Sequence, residues 1–198
     1  MWHKSDRVAP TGPEWDDTYV DTGKWYNPDA GMQRRINTAL ELVGNVTGKT
    51  ILDLGGGPLL GRGLFARGAS RVVLVDISRA ACDIAISLCP AVETRVCDAL
   101  TYLNVAHRFD VTLTLGLLMY CGPNGLDVLF SKAPSDLLVI NDSAAEGYLE
   151  YKTRVTVYSH EDISNACVRY GWSKVLDLGS REHHFASFRR NNASDSNV

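Results

Sequence analysis

An acidic side chain followed by three glycines is the feature of this sequence that points most clearly to chemistry. The run Asp53-Leu54-Gly55-Gly56-Gly57 ends an apolar segment that begins at Thr50. A strand that turns sharply into a helix favours glycine at the turn, because glycine has no Cβ and tolerates positive φ. We therefore expect these glycines to form a loop in which a ligand approaches the backbone.

Two further carboxylates end later apolar segments. Asp76 closes the segment that begins at Arg71, and Asp98 follows the segment that begins at Val92. An acid about 20 residues after such a glycine loop commonly binds ribose hydroxyls. Asp53 differs from the apolar residue or glycine usual in dinucleotide-binding loops, and its carboxylate can face an ammonium group of the ligand.

Short apolar runs that alternate with helical segments must position these residues. The expected strands are Thr50–Leu54, Arg71–Asp76, Val92–Cys97, Phe109–Leu115, Asp136–Asn141, 172–178 and 183–189. The expected helices are 58–67, 78–88, 99–106, 123–132 and one from Ser159 to about Gly171, where Ser159 and Asp162 form a capping-box-like pair. This alternation predicts an α/β fold with a parallel sheet covered on both faces.

The chain before the first strand divides into an arm and a helix. Residues 1–30 form an aromatic arm without clear periodicity, and the main domain is expected over residues 31–190, followed by a disordered tail at 191–198. Asn27 and Pro28 have the pattern of an N-cap and a first helical residue. The aromatic residues Tyr19, Trp25 and Tyr26 can form a lid over a ligand or pack on the sheet to complete the core.

The stretch from Gly48 to Ser78 resembles motif I and the next acidic strand end of class I methyltransferases that use S-adenosylmethionine, and the resemblance extends from about residue 30 to 189. It implies a Rossmann-like, doubly wound α/β fold: a seven-stranded sheet, mostly parallel with an antiparallel last strand, and helices on both faces. It also implies S-adenosylmethionine as cofactor and S-adenosylhomocysteine as product. The cofactor-binding residues implied are Asp53, Gly55, Gly56, Gly57, Asp76, Ile77, Asp98, Ala99 and Leu115.

Within that family the glycine loop contacts the amino-acid part of the cofactor, the acid matching Asp76 holds the ribose, and the acid matching Asp98 lies at the adenine amino group. This sequence departs from the pattern at Leu59, where a third glycine often stands, and has Pro58 directly after Gly57. Such a Gly-x-Gly-Pro variant occurs among small-molecule methyltransferases. The expected reaction is therefore methyl transfer to an oxygen or nitrogen atom of a small-molecule acceptor.

The catalytic residues are harder to predict, because in-line positioning alone can supply ~7–11 kcal/mol of the barrier reduction. Tyr120, after the fourth strand, can orient an acceptor or pack as an ordinary aromatic. His160 can act as a base near neutral pH or merely lie in a segment that begins a helix. Asp142 can contact substrate or simply begin a loop. No spacing of His, Cys and carboxylates indicates a metal site.

Two alternatives from other functional classes stay open. A non-catalytic regulatory or scaffold protein could retain an S-adenosylmethionine pocket. Tyr148 and Lys152 match the Tyr-x-x-x-Lys pair of nicotinamide-dependent short-chain oxidoreductases, but the loop at Asp53 lacks that family's Thr-Gly-x-x-x-Gly-x-Gly pattern. Turnover of labelled cofactor tests the first alternative, and affinity for nicotinamide nucleotides tests the second.

Composition narrows the expected partners. A formal net charge of -3 and a pI of about 5.9 argue against nucleic-acid binding, which needs clustered Lys and Arg. No apolar run is long enough for a membrane helix, and five cysteines without a C-x-x-C pair indicate reduced thiols in a cytoplasmic protein. The expected partner is a small-molecule acceptor, and the chain is expected to be a monomer or a homodimer.

Overall fold

The computed structural model describes residues 11–20, 27–143, 156–179 and 183–191. Its strands are β1 (Thr50–Leu54), β2 (Arg71–Asp76), β3 (Glu93–Val96), β4 (Val111–Leu115), β5 (Leu137–Ser143), β6 (Trp172–Asp177) and β7 (His183–Arg190). Its helices are α1 (Gly12–Val20), α2 (Ala30–Val43), α3 (Gly61–Ala66), α4 (Arg79–Leu88), α5 (Ala99–Tyr102), α6 (Gly125–Lys132) and α7 (His160–Arg169). A 3-10 turn at Leu118–Tyr120 follows β4.

The seven strands form one sheet in the order β3-β2-β1-β4-β5-β7-β6. The neighbours from β3 to β5 pair in parallel, and β7 pairs antiparallel with both β5 and β6. The sheet therefore has six strands in one direction and one reversed strand, β7. This confirms the mostly parallel, Rossmann-like sheet with an antiparallel last strand.

Two apolar layers cover the sheet, which confirms helices on both faces. Helices α2 and α3 pack on one face, where Ile51, Val111 and Val139 are buried. Helices α5, α6 and α7 pack on the other face against Leu52 and Ile140, the alternate residues of β1 and β5. Strand residues point alternately to the two faces, so the near-continuous apolar run of β2 follows from burial on both sides.

The predicted strands agree with the structure to within a few residues, but three helix predictions need correction. Helix α2 is capped by Asp29, whose carboxylate accepts a hydrogen bond from the Met32 amide at 2.8 Å, and not by Asn27. Pro28 consequently lies outside the helix. The helices expected at 58–67 and 99–106 are shorter, because each begins or ends in turns.

The arm contains a helix, α1, that the sequence analysis did not predict. The Thr11 amide donates to Glu14 Oε2 at 2.7 Å, an N-terminal contact of the Thr-x-x-Glu type. The helix has nine residues, and its apolar face consists mainly of Trp15 and Tyr19. So short a pattern does not stand out from irregular chain. Trp25, Tyr26 and the tail residues 192–198 lie outside the described residues.

Candidate active site

The glycine loop follows β1 at the carboxyl edge of the sheet. Gly55 and Gly57 have φ values of 61° and 62°, which residues with a Cβ rarely adopt. The Gly55 amide donates to the Val75 carbonyl at 2.7 Å and so ties the loop to β2. The predicted strand–loop–helix turn is present, and its backbone lies where the parallel strands end.

Asp53 lies beneath this loop and is 1% exposed. Its carboxylate packs against Gly56 so closely that a Cβ at that position would collide with it. Among the described residues, Asp53 Oδ1 is buried without a hydrogen-bond partner. Burial, and secondarily the charge of Asp76, raise the pKa of Asp53 well above its usual range. A cationic ligand would relieve both effects.

Asp76 joins the glycine loop to the end of β2. Its Oδ2 accepts from the Gly57 amide at 3.2 Å, and its Oδ1 accepts from the Ser78 amide at 2.9 Å. Burial raises the pKa of Asp76, while these backbone hydrogen bonds oppose the rise. The carboxylate is thus held rigidly at the edge, in the place where the resemblance puts the ribose.

Arg35 of α2 lies at the same edge and was not among the predicted site residues. Its Nη2 lies 2.9 Å from the position that a Cβ on Gly116 would occupy, just after β4. Its Nε and Nη2 are buried without a hydrogen-bond partner within the described part of the chain. The available signal was helical spacing: Arg35 stands on the side of Met32 and Ala39, whereas Arg34 is exposed.

The main chain of Arg35 is fixed by the next strand of the sheet. Asn141, at the carboxyl end of β5, donates its Nδ2 to the Arg35 carbonyl at 3.1 Å. Asp53 follows Ile51 by two residues in β1, and Asn141 follows Val139 by two residues in β5. Alternate residues of a strand share a face, so both polar side chains lie on the face that packs against α2. The unsatisfied carboxylate and guanidinium therefore lie on one face of the sheet, at its carboxyl edge.

Helix α1 crosses this edge. The Tyr19 hydroxyl lies 2.7 Å from the position of a Cβ on Gly57, and Tyr19 is 9% exposed. Trp15 contacts Tyr120 edge-on, with ring centroids 5.0 Å apart. Asp16 accepts hydrogen bonds from the Ser78 hydroxyl and the Ala80 amide at the start of α4. The helix thus contacts the loops after β1, β2 and β4.

The remaining predicted cofactor residues lie along the same edge with different exposure. Ile77 is 38% exposed after β2, and Ala99 is buried. Asp98 caps α5 by accepting from the Thr101 amide at 2.7 Å, so its position has a structural reason apart from any adenine contact. Leu115 packs in the core beneath α2. Leu117, which was not predicted as a cofactor residue, approaches Gly55 more closely than Leu115 does.

The structure brings Tyr120 to this edge but places His160 elsewhere. His160 begins α7, and its Nδ1 lies 3.1 Å from Nδ1 of His184. His184 belongs to β7, which β4 and β5 separate from β1. Three strand spacings of about 4.8 Å separate β7 from β1, so His184 lies roughly 14 Å from the glycine loop. The side chain of Asp142 and all of Trp25 and Tyr26 lie outside the described residues.

No group of three or more His, Cys, Asp or Glu side chains among the described residues has the arrangement of a metal site. None of the described helices has the length and apolar composition needed to cross a membrane.

Sequence comparisons give no relative: no protein-family model and no curated protein matches the chain. Solved structures do match in fold. Magnesium protoporphyrin IX methyltransferase (ChlM) from Synechocystis PCC 6803 with bound SAM superposes with a TM-score of 0.74 at 18% identity, covering 91% of this chain and 95% of that one. N-methyltransferase NodS from Bradyrhizobium japonicum WM9 gives 0.66 at 16% identity, covering 84% and 99%.

The DhpI–SAM–HEP complex is a third match, with a TM-score of 0.67 at 18% identity and coverage of 89% and 94%. These similarities establish that the chain has the fold of class I S-adenosylmethionine-dependent methyltransferases. The reversed strand β7, between β5 and β6, also departs from the 3-2-1-4-5-6 strand order of the dinucleotide-binding fold.

Proposed function

We propose that this chain, with the fold of the S-adenosylmethionine-dependent methyltransferases, binds that cofactor at the carboxyl edge of its sheet and transfers the methyl group to an oxygen or nitrogen atom of a small-molecule acceptor. One observation carries the proposal. Asp53 and Arg35 present a buried carboxylate oxygen and buried guanidinium nitrogens, each without a hydrogen-bond partner among the described residues. A ligand with an α-ammonium and an α-carboxylate group satisfies both.

The unsatisfied groups of Asp53 and Arg35 match the amino-acid end of S-adenosylmethionine, and Asp76 matches its ribose. Buried polar groups without partners cost about 1–3 kcal/mol each, so a site that keeps two of opposite charge is suited to a ligand that pairs with both. A carboxylate such as Asp76 can accept hydrogen bonds from two ribose hydroxyls. The exposed side chain of Ile77 offers an apolar surface next to Asp76, where the adenine ring would lie.

The chain's own residues account for the remaining requirements of methyl transfer. When bound, S-adenosylmethionine supplies an electrophilic methyl group on a positively charged sulfur. Arg35 and Asp53 would fix the amino-acid end beside β4, so that the acceptor enters near Tyr120. Trp15 and Tyr19 of α1 would exclude water from the same edge. Positioning of this kind requires no dedicated base.

The acceptor class is a proposal of the same kind. The acidic composition and the Gly-Pro variant of the loop support a small molecule, as does the shared fold of the magnesium protoporphyrin IX methyltransferase. The distance of His160 from the glycine loop favours Tyr120 over His160 as the residue that orients the acceptor.

Calorimetric titration with S-adenosylhomocysteine tests the cofactor assignment. We expect Arg35→Met to weaken binding roughly 10- to 100-fold, because it removes a charged partner worth about 1.5–3 kcal/mol. Asp76→Ala should have an effect of similar size through the lost ribose hydrogen bonds. Arg34→Met is the matched control: Arg34 is exposed on the same helix, and its removal should leave affinity unchanged.

Equal affinities for the Arg35 and Arg34 variants would contradict the assignment of the amino-acid end. Turnover of methyl-labelled S-adenosylmethionine with a panel of small-molecule acceptors then separates an enzyme from a binding scaffold. Label transfer to an acceptor supports the enzyme, and tight binding without transfer to any member of a broad panel supports the scaffold.

A further inference from the structure

Helix α1 covers the part of the sheet edge that the proposed cofactor would occupy. A helix of nine residues is about 13 Å long, and β2 and β4, on either side of β1, lie about 10 Å apart. The helix meets the β2 end through Asp16, the glycine loop through Tyr19 and the β4 end through Trp15. A ligand held by Asp76 and the glycine loop would therefore lie beneath α1.

The contact at the β2 end is polar and specific. Asp16 Oδ1 accepts from the Ser78 hydroxyl at 2.6 Å and from the Ala80 amide at 3.0 Å. The hydrogen bond from Ser78 is the main reason that the pKa of Asp16 is lowered. Ser78 also caps α4, since its oxygen accepts from the Ala81 amide at 3.1 Å. One carboxylate of α1 thus binds the start of a helix that belongs to the main domain.

The same contact is linked to the ribose site. The Ser78 amide donates to Asp76 Oδ1, and Asp76 Oδ2 accepts from the Gly57 amide, against which Tyr19 packs. A continuous set of hydrogen bonds and packing contacts runs from Asp16 through Ser78 and Asp76 to the glycine loop. The backbone of α1 also approaches closely: a Cβ on Gly12 would lie 2.7 Å from the Ile77 carbonyl oxygen.

We propose that α1 is a lid whose closed position is latched by Asp16 on Ser78 and Ala80, so that the cofactor product leaves only when this latch opens. Asp16 is a positioning residue: it acts on the ligand through the lid. The inference rests on the proposed function for the identity of the ligand, but the latch itself is a property of the protein alone. It predicts that losing Asp16 speeds dissociation more than it changes the association rate.

Stopped-flow displacement of S-adenosylhomocysteine measures this effect. We expect Asp16→Ala to raise the dissociation rate about ten-fold, equivalent to about 1.4 kcal/mol, with a smaller change in the association rate. Asp17→Ala is the matched control, because Asp17 is exposed on the same helix, and its rates should equal those of the wild type. Asp16→Asn keeps an acceptor oxygen and should restore most of the slow dissociation.

A second readout keeps the latch separate from the cofactor assignment. In the unliganded protein, Asp16→Ala should accelerate amide hydrogen exchange in α1 while the amides of β1, β2 and β4 keep wild-type rates. Asp17→Ala should leave α1 unchanged. Unchanged exchange in α1 of the Asp16→Ala variant would overturn the latch. A wild-type protein that binds no S-adenosylhomocysteine would contradict the proposed function, and the exchange comparison would still decide the latch.

Discussion

The carboxylate of Asp53 is buried without a hydrogen-bond partner on one of its oxygens, which is rare in folded proteins. It is 1% exposed, and its Oδ1 accepts no hydrogen bond from the described residues. Burial without a partner destabilises the charged form, which is why the pKa of Asp53 is raised. Because its burial lowers the stability of the unliganded protein, Asp53 is better explained by ligand binding than by packing.

The unfavourable burial of the Asp53 carboxylate predicts opposite effects of Asp53→Asn on the free energy of unfolding and on cofactor affinity. Because the pKa of Asp53 is higher in the folded protein than the usual aspartate value, the free energy of unfolding falls as pH rises from about 4 to the raised pKa. Replacing the ionisable carboxyl group with a neutral amide removes this pH-dependent loss and should therefore raise the free energy of unfolding at pH 7. The same change should weaken S-adenosylmethionine binding. Urea unfolding and calorimetry measure the two effects.

Asp110→Asn provides a control of the opposite sign. Asp110 precedes β4 at the other edge of the sheet, and its exposed carboxylate accepts from the Thr50 amide at 2.7 Å and the Thr50 hydroxyl at 2.8 Å. These bonds lower the pKa of Asp110. Its replacement should reduce stability and leave binding unchanged. Loss of stability with unchanged affinity in Asp53→Asn would refute the role given to Asp53.

At the level of elements, the glycine loop and α1 act as a pair, because Tyr19 occupies the space that a side chain at Gly57 would need. We expect Gly57→Ala to displace α1 as well as strain the loop, and so to reduce cofactor affinity at least ten-fold. Calorimetry with S-adenosylhomocysteine measures the loss, after thermal unfolding has confirmed that the variant is folded.

Gly44→Ala separates the two effects of that substitution. Gly44 has a φ of 69°, close to that of Gly57, but nothing lies within 4 Å of the position of its Cβ. Its ψ of -136° lies outside the left-handed helical region and favours glycine strongly. Gly44→Ala should therefore lose about 1–3 kcal/mol of stability from backbone strain and retain affinity. If both variants lost affinity equally, the contact between Tyr19 and Gly57 would not matter to binding.

Some of the strands and helices could be predicted from the sequence, and others could not. Strands such as β1 and β2 were predictable, because burial on both faces produces continuous apolar runs that end at Asp53 or Asp76. The capping box of α7, with Ser159 and Asp162 bonding reciprocally, was predictable as a local pattern. Helix α1 was not, because nine residues are too few for a helical pattern to stand out from irregular chain.

For the molecule as a whole, the order of the strands decides which residues meet. Arg35 and Asp53 lie on the same face and edge of the sheet because α2 packs across the end of a sheet in which β4 lies beside β1. No local pattern in the sequence encodes that proximity. His160 illustrates the converse: its residue type suggested chemistry, but α7 and β7 place it against His184.

A crystal structure with S-adenosylhomocysteine tests the central claim most directly. We predict that the ligand's ammonium group lies at Asp53, its carboxylate at Arg35 and its ribose hydroxyls at Asp76, with α1 closed over it. A ligand bound away from Arg35 and Asp53, or crystals grown at saturating ligand that show the glycine loop without it, would contradict the claim.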